Sequence, residues 1–505
     1  MKVAYIASEV FPYAKTGGLG DVAGTLPKEL AKLGNDVKVF MPKYNLFSEI
    51  DYGLHYQWKI GGILIPIADR IHSVHVQKAY LPESNGKKNS KVEIYFIDCP
   101  YYYYRYRVYT DDPDEDERFI LFSKSVLEVI KRLNWSPDII HCNDWHTGII
   151  PLLIKDQPQS GEFSYSNEKV FERTATIFTI HNIAYQGIFD KHTFEKAGIN
   201  PKYFLNGGHG EYYGKVSFLK TGIMVSDIIN TVSETYAKEL LTPEYGSGMD
   251  PFLNLRKEDF YGVLNGVDYN IWNPETDKLI PYNYSKNDLS GKLKNKKYLL
   301  ENLGLTFDEN IPLIGIISRL VEQKGFDILN EVLDEIITLN AHWVILGSGK
   351  RKYEEMFAQL AQNHPKKFSA YIGYNDEFAH LIEAGADMIL MPSVYEPCGL
   401  NQIYSLKYGT VPIVRKTGGL ADTVLDWHEC LSEGKEIGTG YSFVNFSGSA
   451  LLQSLKTAIN DFHNKDLWRK IQLNGMEKDY SWQKSAEKYM ELYKKATKRL
   501  NNGSS

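Results

Sequence analysis

The residue pattern with the most chemical content occurs twice. Lys15-Thr16-Gly17-Gly18-Leu19-Gly20-Asp21 recurs as Lys416-Thr417-Gly418-Gly419-Leu420-Ala421-Asp422. Each copy follows strand-forming residues and precedes a helix-period segment. Paired glycines let the main chain turn tightly and come close to a ligand. The N–H groups and positive end of the helix then make an anion seat, and the lysine adds a full charge. A single loop of this kind is a weak signal, because a glycine-rich turn kept for packing reads the same way. Two near-identical loops, one per half of the chain, predict a joint grip on one phosphate-bearing ligand. The dinucleotide fingerprint fails, since Gly18-x-Gly20 is followed by Gly24 and roughly eight residues separate strand from glycines. No GxxxxGK[ST] phosphate loop occurs either.

Two further clusters carry charge at expected strand ends. Ser318-Arg319-Leu320-Val321-Glu322-Gln323-Lys324-Gly325 lies between a strand and a helix, where ligands gather in open α/β sheets. Arginine forks two oxygens and lysine acts as a compact point charge, so Arg319 and Lys324 fit a diphosphate leaving group. As plain surface cations they would merely flank a turn. In Tyr395-Glu396-Pro397-Cys398-Gly399-Leu400-Asn401-Gln402, Pro397 is the expected first helical residue, so Cys398, Gly399 and Leu400 present unpaired N–H groups. Glu396 then either meets hydroxyls and developing positive charge or simply complements a helix dipole. Cys398 stands at a helix start, but with no evident partner base its expected role is packing and backbone.

Histidines fall in Ile140-His141-Cys142-Asn143-Asp144-Trp145-His146 and in Thr179-Ile180-His181-Asn182. Neither has a strong metal spacing, and strand-end hydrogen bonding is the preferred reading of His141, Asp144 and His146. His181 closes a strand. Tyr101–Tyr104 with Tyr106 reads as a sugar-stacking platform or as aromatic loop packing. The acidic run from Asp111 to Glu117 reads as a solvated loop leading into a helix.

Positioning these residues requires alternating strands and helices, the pattern of parallel α/β sheets. Strands are expected over 2–7, 36–41, 92–98, 138–142, 176–180 and 228–232. The second half offers 262–264, 313–318, 343–347, 370–373, 388–392 and 411–414. The stripe Leu19, Val22, Ala23, Leu26, Leu30 and Leu33 predicts a helix kinked at Pro27, and Phe326 to Ile337 predicts another. The expected fold is α/β with two doubly wound Rossmann-like domains facing a deep interdomain cleft. The first spans 1–250, the second 251–479, and an amphipathic helix within 480–505 crosses back to the first.

The chain has 505 residues, 43% hydrophobic and 24% charged, which fits folded α/β domains and excludes a disordered or collagen-like chain. A net charge of −6 argues against nucleic acid as the main partner. Four cysteines without a CxxC pair point to a reducing, cytoplasmic setting rather than a disulfide framework or zinc ribbon. The N-terminal apolar run is too short for a signal peptide, and no apolar stretch of about 18 residues is present to span a membrane.

Taken together, KTGGLGDV (15–22), HCNDWHTG (141–148), HNIAYQG (181–187), LNGVD (264–268), SRLVEQKG (318–325), EPCGLNQ (396–402) and KTGGLAD (416–422) resemble the bacterial glycogen synthase and plant starch synthase family. The segments come in family order and span nearly the whole chain. The resemblance implies a GT-B glycosyltransferase moving glucose, with retention, from ADP-glucose to the non-reducing-end 4-hydroxyl of an α-1,4-glucan. It implies that Lys15, Gly17 and Gly18 approach the donor diphosphate and sugar, with Asp21 beside the donor glucose. Arg319 and Lys324 neutralise the diphosphate, and Glu396 meets the glucosyl hydroxyls near the reacting carbon. Cys398, Gly399, Leu400 and Asn401, together with Thr417, Gly418 and Gly419, line the sugar–phosphate shell. His181 lies by the 6-hydroxyl, Asp144 near the acceptor, Tyr374 near the nucleobase and Asn265 in the cleft. Position 401 is Asn where some members carry Thr or Ile. No cofactor beyond the donor and no metal is implied, because the cations take the metal's role. Alternatives are another nucleotide-sugar enzyme of this fold, UDP-glucose-dependent or an epimerase, and a noncatalytic glucan-binding scaffold. A scaffold would be expected to have lost Lys15, Arg319, Lys324 or Glu396, and all four are present.

Overall fold

The computed structural model describes residues 1–83, 89–155 and 165–503. The chain divides into two compact units. Unit 1 comprises Met1–Val232, Ala237–Gly266 and Trp482–Ser505, and unit 2 comprises Ser233–Tyr236 and Val267–Ser481.

In unit 1 seven parallel strands lie in the order Phe260–Gly262, Ile228–Thr231, Ala175–Ile180, Ile139–Asn143, Lys2–Ile6, Asp36–Pro42 and Asn89–Asp98. Their β-branched runs are buried on both faces, as a parallel sheet covered by helices requires. Antiparallel strands Arg70–Pro82 and His55–Tyr56 extend the sheet, and Ile63–Ile67 pairs with Arg70–Pro82. The helix Gly18–Lys32 runs continuously through the buried Pro27. The helix Trp482–Gly503 packs on this unit, where the Tyr493 hydroxyl meets His141 Nδ1 at 2.8 Å and Ser485 donates to the Leu264 carbonyl.

Unit 2 holds six parallel strands in the order Phe368–Ile372, His342–Gly347, Leu313–Ile317, Met388–Met391, Val411–Arg415 and Tyr441–Phe443. Its main core includes Trp343, Phe326, Phe357, Ile413, Leu451 and Trp468.

Several expectations change. The boundary moves from 250/251 to 266/267, because the strand near 262 pairs with Ile228–Thr231 and therefore belongs to the first sheet. The helix after Gly325 is two short helices, Phe326–Glu331 and Leu333–Thr338, broken at Val332. The acidic run is only partly solvated. Glu115 pairs with the buried Arg118 at 2.5 Å, and the buried Asp116 accepts from Thr193 and Lys196. Arg105 holds Asp112 and Asp114. The tyrosine segment divides in the same way. Tyr102 and Tyr103 are buried and donate to Glu117 and to the Arg118 carbonyl, while Tyr101 and Tyr104 are exposed.

Candidate active site

In unit 1 the candidate residues collect at the carboxyl ends of Lys2–Ile6, Ile139–Asn143 and Ala175–Ile180, the edge where ligands bind in open parallel sheets. Asn143 ties these ends together, donating to the Ile6 carbonyl at 3.0 Å and accepting from the Tyr5 hydroxyl at 3.1 Å. His181 Nε2 meets Asn143 Oδ1 at 3.0 Å, and the ring is buried. Burial lowers the His181 pKa to about 3, so the ring is neutral over the ordinary pH range. Asp144 stands at φ +56° just past its strand and accepts the His181 N–H at 2.7 Å. Desolvation lifts its carboxyl to about 7, with nearby Glu9 adding to the rise. His141 bonds Thr179 at 2.7 Å as well as Tyr493, and His146 stacks on Tyr109 with centroids 4.6 Å apart. His141, Asp144 and His146 are therefore engaged in strand-end bonding and packing.

The first glycine loop opens the helix at Gly18, with Gly17 as its cap residue. Lys15 pairs with Asp21 at 2.7 Å, and its ammonium sits 5.7 Å from the Phe11 ring centroid. A Cβ built on Gly18 meets nothing within 4 Å, and one on Gly17 meets only the Glu9 carboxylate at 3.9 Å. These two glycines are not forced by packing. Asn265 is buried, and its Oδ1 has no hydrogen-bond partner among the described residues.

In unit 2 the sites again stand at carboxyl strand ends. Arg319 follows Leu313–Ile317, is exposed, and forms no ion pair among the described residues. Lys324 meets Glu396 at 2.5 Å, and Ser393 donates to the same carboxylate oxygen at 3.0 Å. Both pair members are largely buried, so removing either leaves a poorly solvated charge, a large cost. The two loops are locked together elsewhere as well. Val394 N–H donates to the Gln323 carbonyl at 2.8 Å, and a Cβ on Gly325 would lie 1.9 Å from the Pro392 oxygen.

The expected helix start at Pro397 is not observed. The helix is Asn401–Tyr408, because Gly399 takes φ +70° and interrupts any right-handed path from 397. Cys398 is buried and Leu400 precedes the helix, while the Asn401 side chain donates to the Ile317 carbonyl at 2.6 Å. Tyr374, after Phe368–Ile372, is 83% exposed.

The second glycine loop caps the short helix Gly418–Thr423 with Thr417, and Gly418 takes φ +45°. The Gly419 N–H donates to the Glu396 carbonyl at 3.0 Å, and a Cβ there would lie 1.9 Å from the Cys398 oxygen. Lys416 turns away to Glu429 at 2.6 Å. Asp422 accepts from the Ser233 and Thr235 hydroxyls and the Glu234 and Thr235 amides.

Sequence reasoning missed Glu9, Asn143 and Ser393. The one available signal for Glu9 was a carboxylate set in the apolar stretch between the first strand and Lys15.

Comparison with known proteins agrees with this layout. Residues 2–255 match the family model for the starch synthase catalytic domain, and 304–471 match that for glycosyl transferases group 1. The chain is 46% identical to a glycogen synthase of Thermosipho melanesiensis, covering 98% of this chain and 99% of that one. It is 44% identical to a glycogen synthase of Thermotoga maritima, over 98% and 99% of the two chains. Among solved structures, the catalytic domain of starch synthase IV from Arabidopsis thaliana, bound to ADP and acarbose, superposes with a TM-score of 0.87. That structure is 30% identical over 98% of this chain and 99% of its own. With both family models matched in order on two Rossmann-like units, the chain belongs to the glycogen and starch synthase family of GT-B glycosyltransferases.

Proposed function

We propose that this chain is a glycogen synthase, a retaining glucosyltransferase that elongates α-1,4-glucan from ADP-glucose at the non-reducing-end 4-hydroxyl. Full-length similarity to bacterial glycogen synthases carries this reading. The ADP and acarbose named in the starch synthase IV structure support the donor and the glucan acceptor.

The residue roles follow as part of the same proposal. Breaking the bond from sugar C1 to diphosphate puts positive charge on the glucosyl ring and negative charge on phosphate. Arg319 and Lys324 stabilise that phosphate charge, as does Lys15, and the N–H groups at the start of the Gly18–Lys32 helix supply further donors. A single preorganised donor of this kind is worth about 2.7–4 kcal/mol. These cations supply what a divalent ion supplies in other transferases. Glu396 faces the glucosyl hydroxyls, and Lys324 and Ser393 both engage one of its carboxylate oxygens, which lessens its power as a nucleophile. That favours same-face attack, with the departing phosphate taking the acceptor proton, over a covalent glucosyl intermediate on Glu396. His181 donates to or accepts from the glucose 6-hydroxyl as a neutral ring. Asp144 lies near the acceptor, Asp21 beside the donor glucose, Tyr374 stacks on the base, and Cys398–Asn401 and Asn265 add further donor contacts. A cytoplasmic setting belongs to the proposal too, on the strength of four free cysteines. Among the described residues, no helix is long and apolar enough to cross a membrane.

The test is a donor competition. Label from ADP-glucose should enter alcohol-precipitable glucan on a maltooligosaccharide primer, and excess unlabelled UDP-glucose should compete poorly. Free glucose or a new nucleotide sugar as the sole product would overturn the assignment.

A further inference from the structure

Glu9 lies in the loop that joins the first strand to the Lys15 turn. Its side chain is 3% exposed, too enclosed to reach a substrate directly. One carboxylate oxygen accepts both the Thr16 N–H and, at 2.9 Å, the Thr16 hydroxyl. The Gly17 N–H also bonds this carboxylate. Three donors from two consecutive residues therefore converge on one side chain. An ionised carboxylate is acceptor-only with about four lone-pair sites, so it satisfies all three. A side-chain amide has one acceptor oxygen and would face a donor with its own NH2.

The surrounding loop offers few other restraints at this point. A Cβ on Gly18 would touch nothing, and Lys15 is 42% exposed, so tertiary packing does not hold the turn. Glu9 holds it on one side, and on the other stand the Phe11 N–H to Gly20 carbonyl bond at 2.9 Å, the Ala14 N–H to Val10 carbonyl bond at 3.0 Å and the Lys15–Asp21 ion pair. Lys15 immediately precedes the anchored Thr16, so the direction of its ammonium depends on that anchor together with its pairing to Asp21 at 2.7 Å.

We infer that Glu9 is a positioning residue for glucosyl transfer, its buried carboxylate clamping the Thr16–Gly17 main chain so that Lys15 is aimed at the departing phosphate. This rests on the proposed role of Lys15 at the donor diphosphate. A carboxylate so close to an anion seat serves the seat because its charge is spent on main-chain donors rather than turned toward the ligand. Misplacing a binding group by about 1 Å costs about a hundredfold in rate, the scale expected when such a clamp is lost.

The experiment is a double-mutant cycle on the full-length chain with ADP-glucose and a maltooligosaccharide primer. Glu9→Gln should lower kcat by about 10–100-fold, leave the primer KM unchanged and leave the melting temperature within a few degrees. On a Lys15→Ala background the same change should cost less than about threefold, because the group it positions is already gone. Thr16→Val, which removes one of the three donors without altering Glu9, should show a smaller loss with the same non-additivity, and it serves if Glu9→Gln folds poorly. Equal loss in both backgrounds, or unchanged turnover in Glu9→Gln, overturns the inference. Should Lys15→Ala itself transfer normally, it is the underlying role of Lys15 that fails.

Discussion

The two copies of the Lys-Thr-Gly-Gly motif share a sequence and use it differently. In the first, Lys15 and Asp21 pair with each other, Gly17 lies beside the Glu9 carboxylate and Gly18 looks onto open space. In the second, Lys416 pairs outward with Glu429, Asp422 is committed to the 233–235 segment, and Gly419 is pressed against the Cys398 carbonyl. The first loop therefore keeps its lysine paired within the loop and leaves room for a ligand at Gly18. The second acts through its main chain, as a brace that holds the Glu396 loop. Repetition of the motif does not fix even the backbone, since Gly17 is extended at φ −153° where its counterpart Gly418 takes φ +45°; what surrounds each loop decides which atoms are left for chemistry.

The sharpest way to break this comparison is to add one methyl group to each loop. Gly419→Ala has no room, and the clash with the Cys398 main chain should cost about 3 kcal/mol or more, read as a lower unfolding midpoint with transfer lost alongside. Unfolding of Asp422→Ala should show a smaller loss, about 2 kcal/mol, because hydroxyl and amide donors of residues 233–235 lose a charged acceptor. Gly18→Ala should leave the unfolding midpoint unchanged and still lower kcat/KM for the donor by about tenfold, since the glycine serves ligand approach. Unchanged kinetics in Gly18→Ala would show both loops to be structural.

The smallest effect concerns pH, and it separates the strand ends beneath the first copy. His141 and His181 are held near 3, below their unfolded value of about 6.5, so the unfolded chain takes up protons first and stability falls as pH drops below about 6.5. Asp144 is held near 7, above its unfolded value of about 3.9, so between those values the folded chain binds the extra proton and stability rises as pH drops. Asp144→Asn removes this opposing contribution. Its melting temperature should fall more steeply than wild type between pH 6.5 and pH 4.5, by roughly 2 °C per pH unit. Parallel curves for the two proteins would contradict the buried, protonated Asp144.

Most strands were legible because a parallel strand buried on both faces must be a short continuous apolar run, as at Leu313–Ile317 and Met388–Met391. The antiparallel strands Ile63–Ile67 and Arg70–Pro82 went unread, since the solvent-facing Leu64, Pro66 and Ile71 are apolar and the buried Gln77 is polar, which hides the alternation. The cationic and glycine clusters were legible as chemistry, because charge beside a turn has few other uses. Their partners were not. Lys324 and Glu396 are 72 residues apart and meet only because their preceding strands are neighbours in the sheet. Glu9 gave no local pattern, as its partners are reached across a loop rather than along a helix or strand. Pro397 misled because a positive φ at Gly399 overrides a proline's preference for a helix start.

The division of roles between the two loops is tested most directly by turnover of Lys15→Ala and Lys416→Ala, measured side by side with ADP-glucose and a saturating primer. Transfer by Lys15→Ala should fall by at least about a hundredfold, while Lys416→Ala stays within about threefold of the parent. Comparable losses in the two variants, or a larger one in Lys416→Ala, would contradict it.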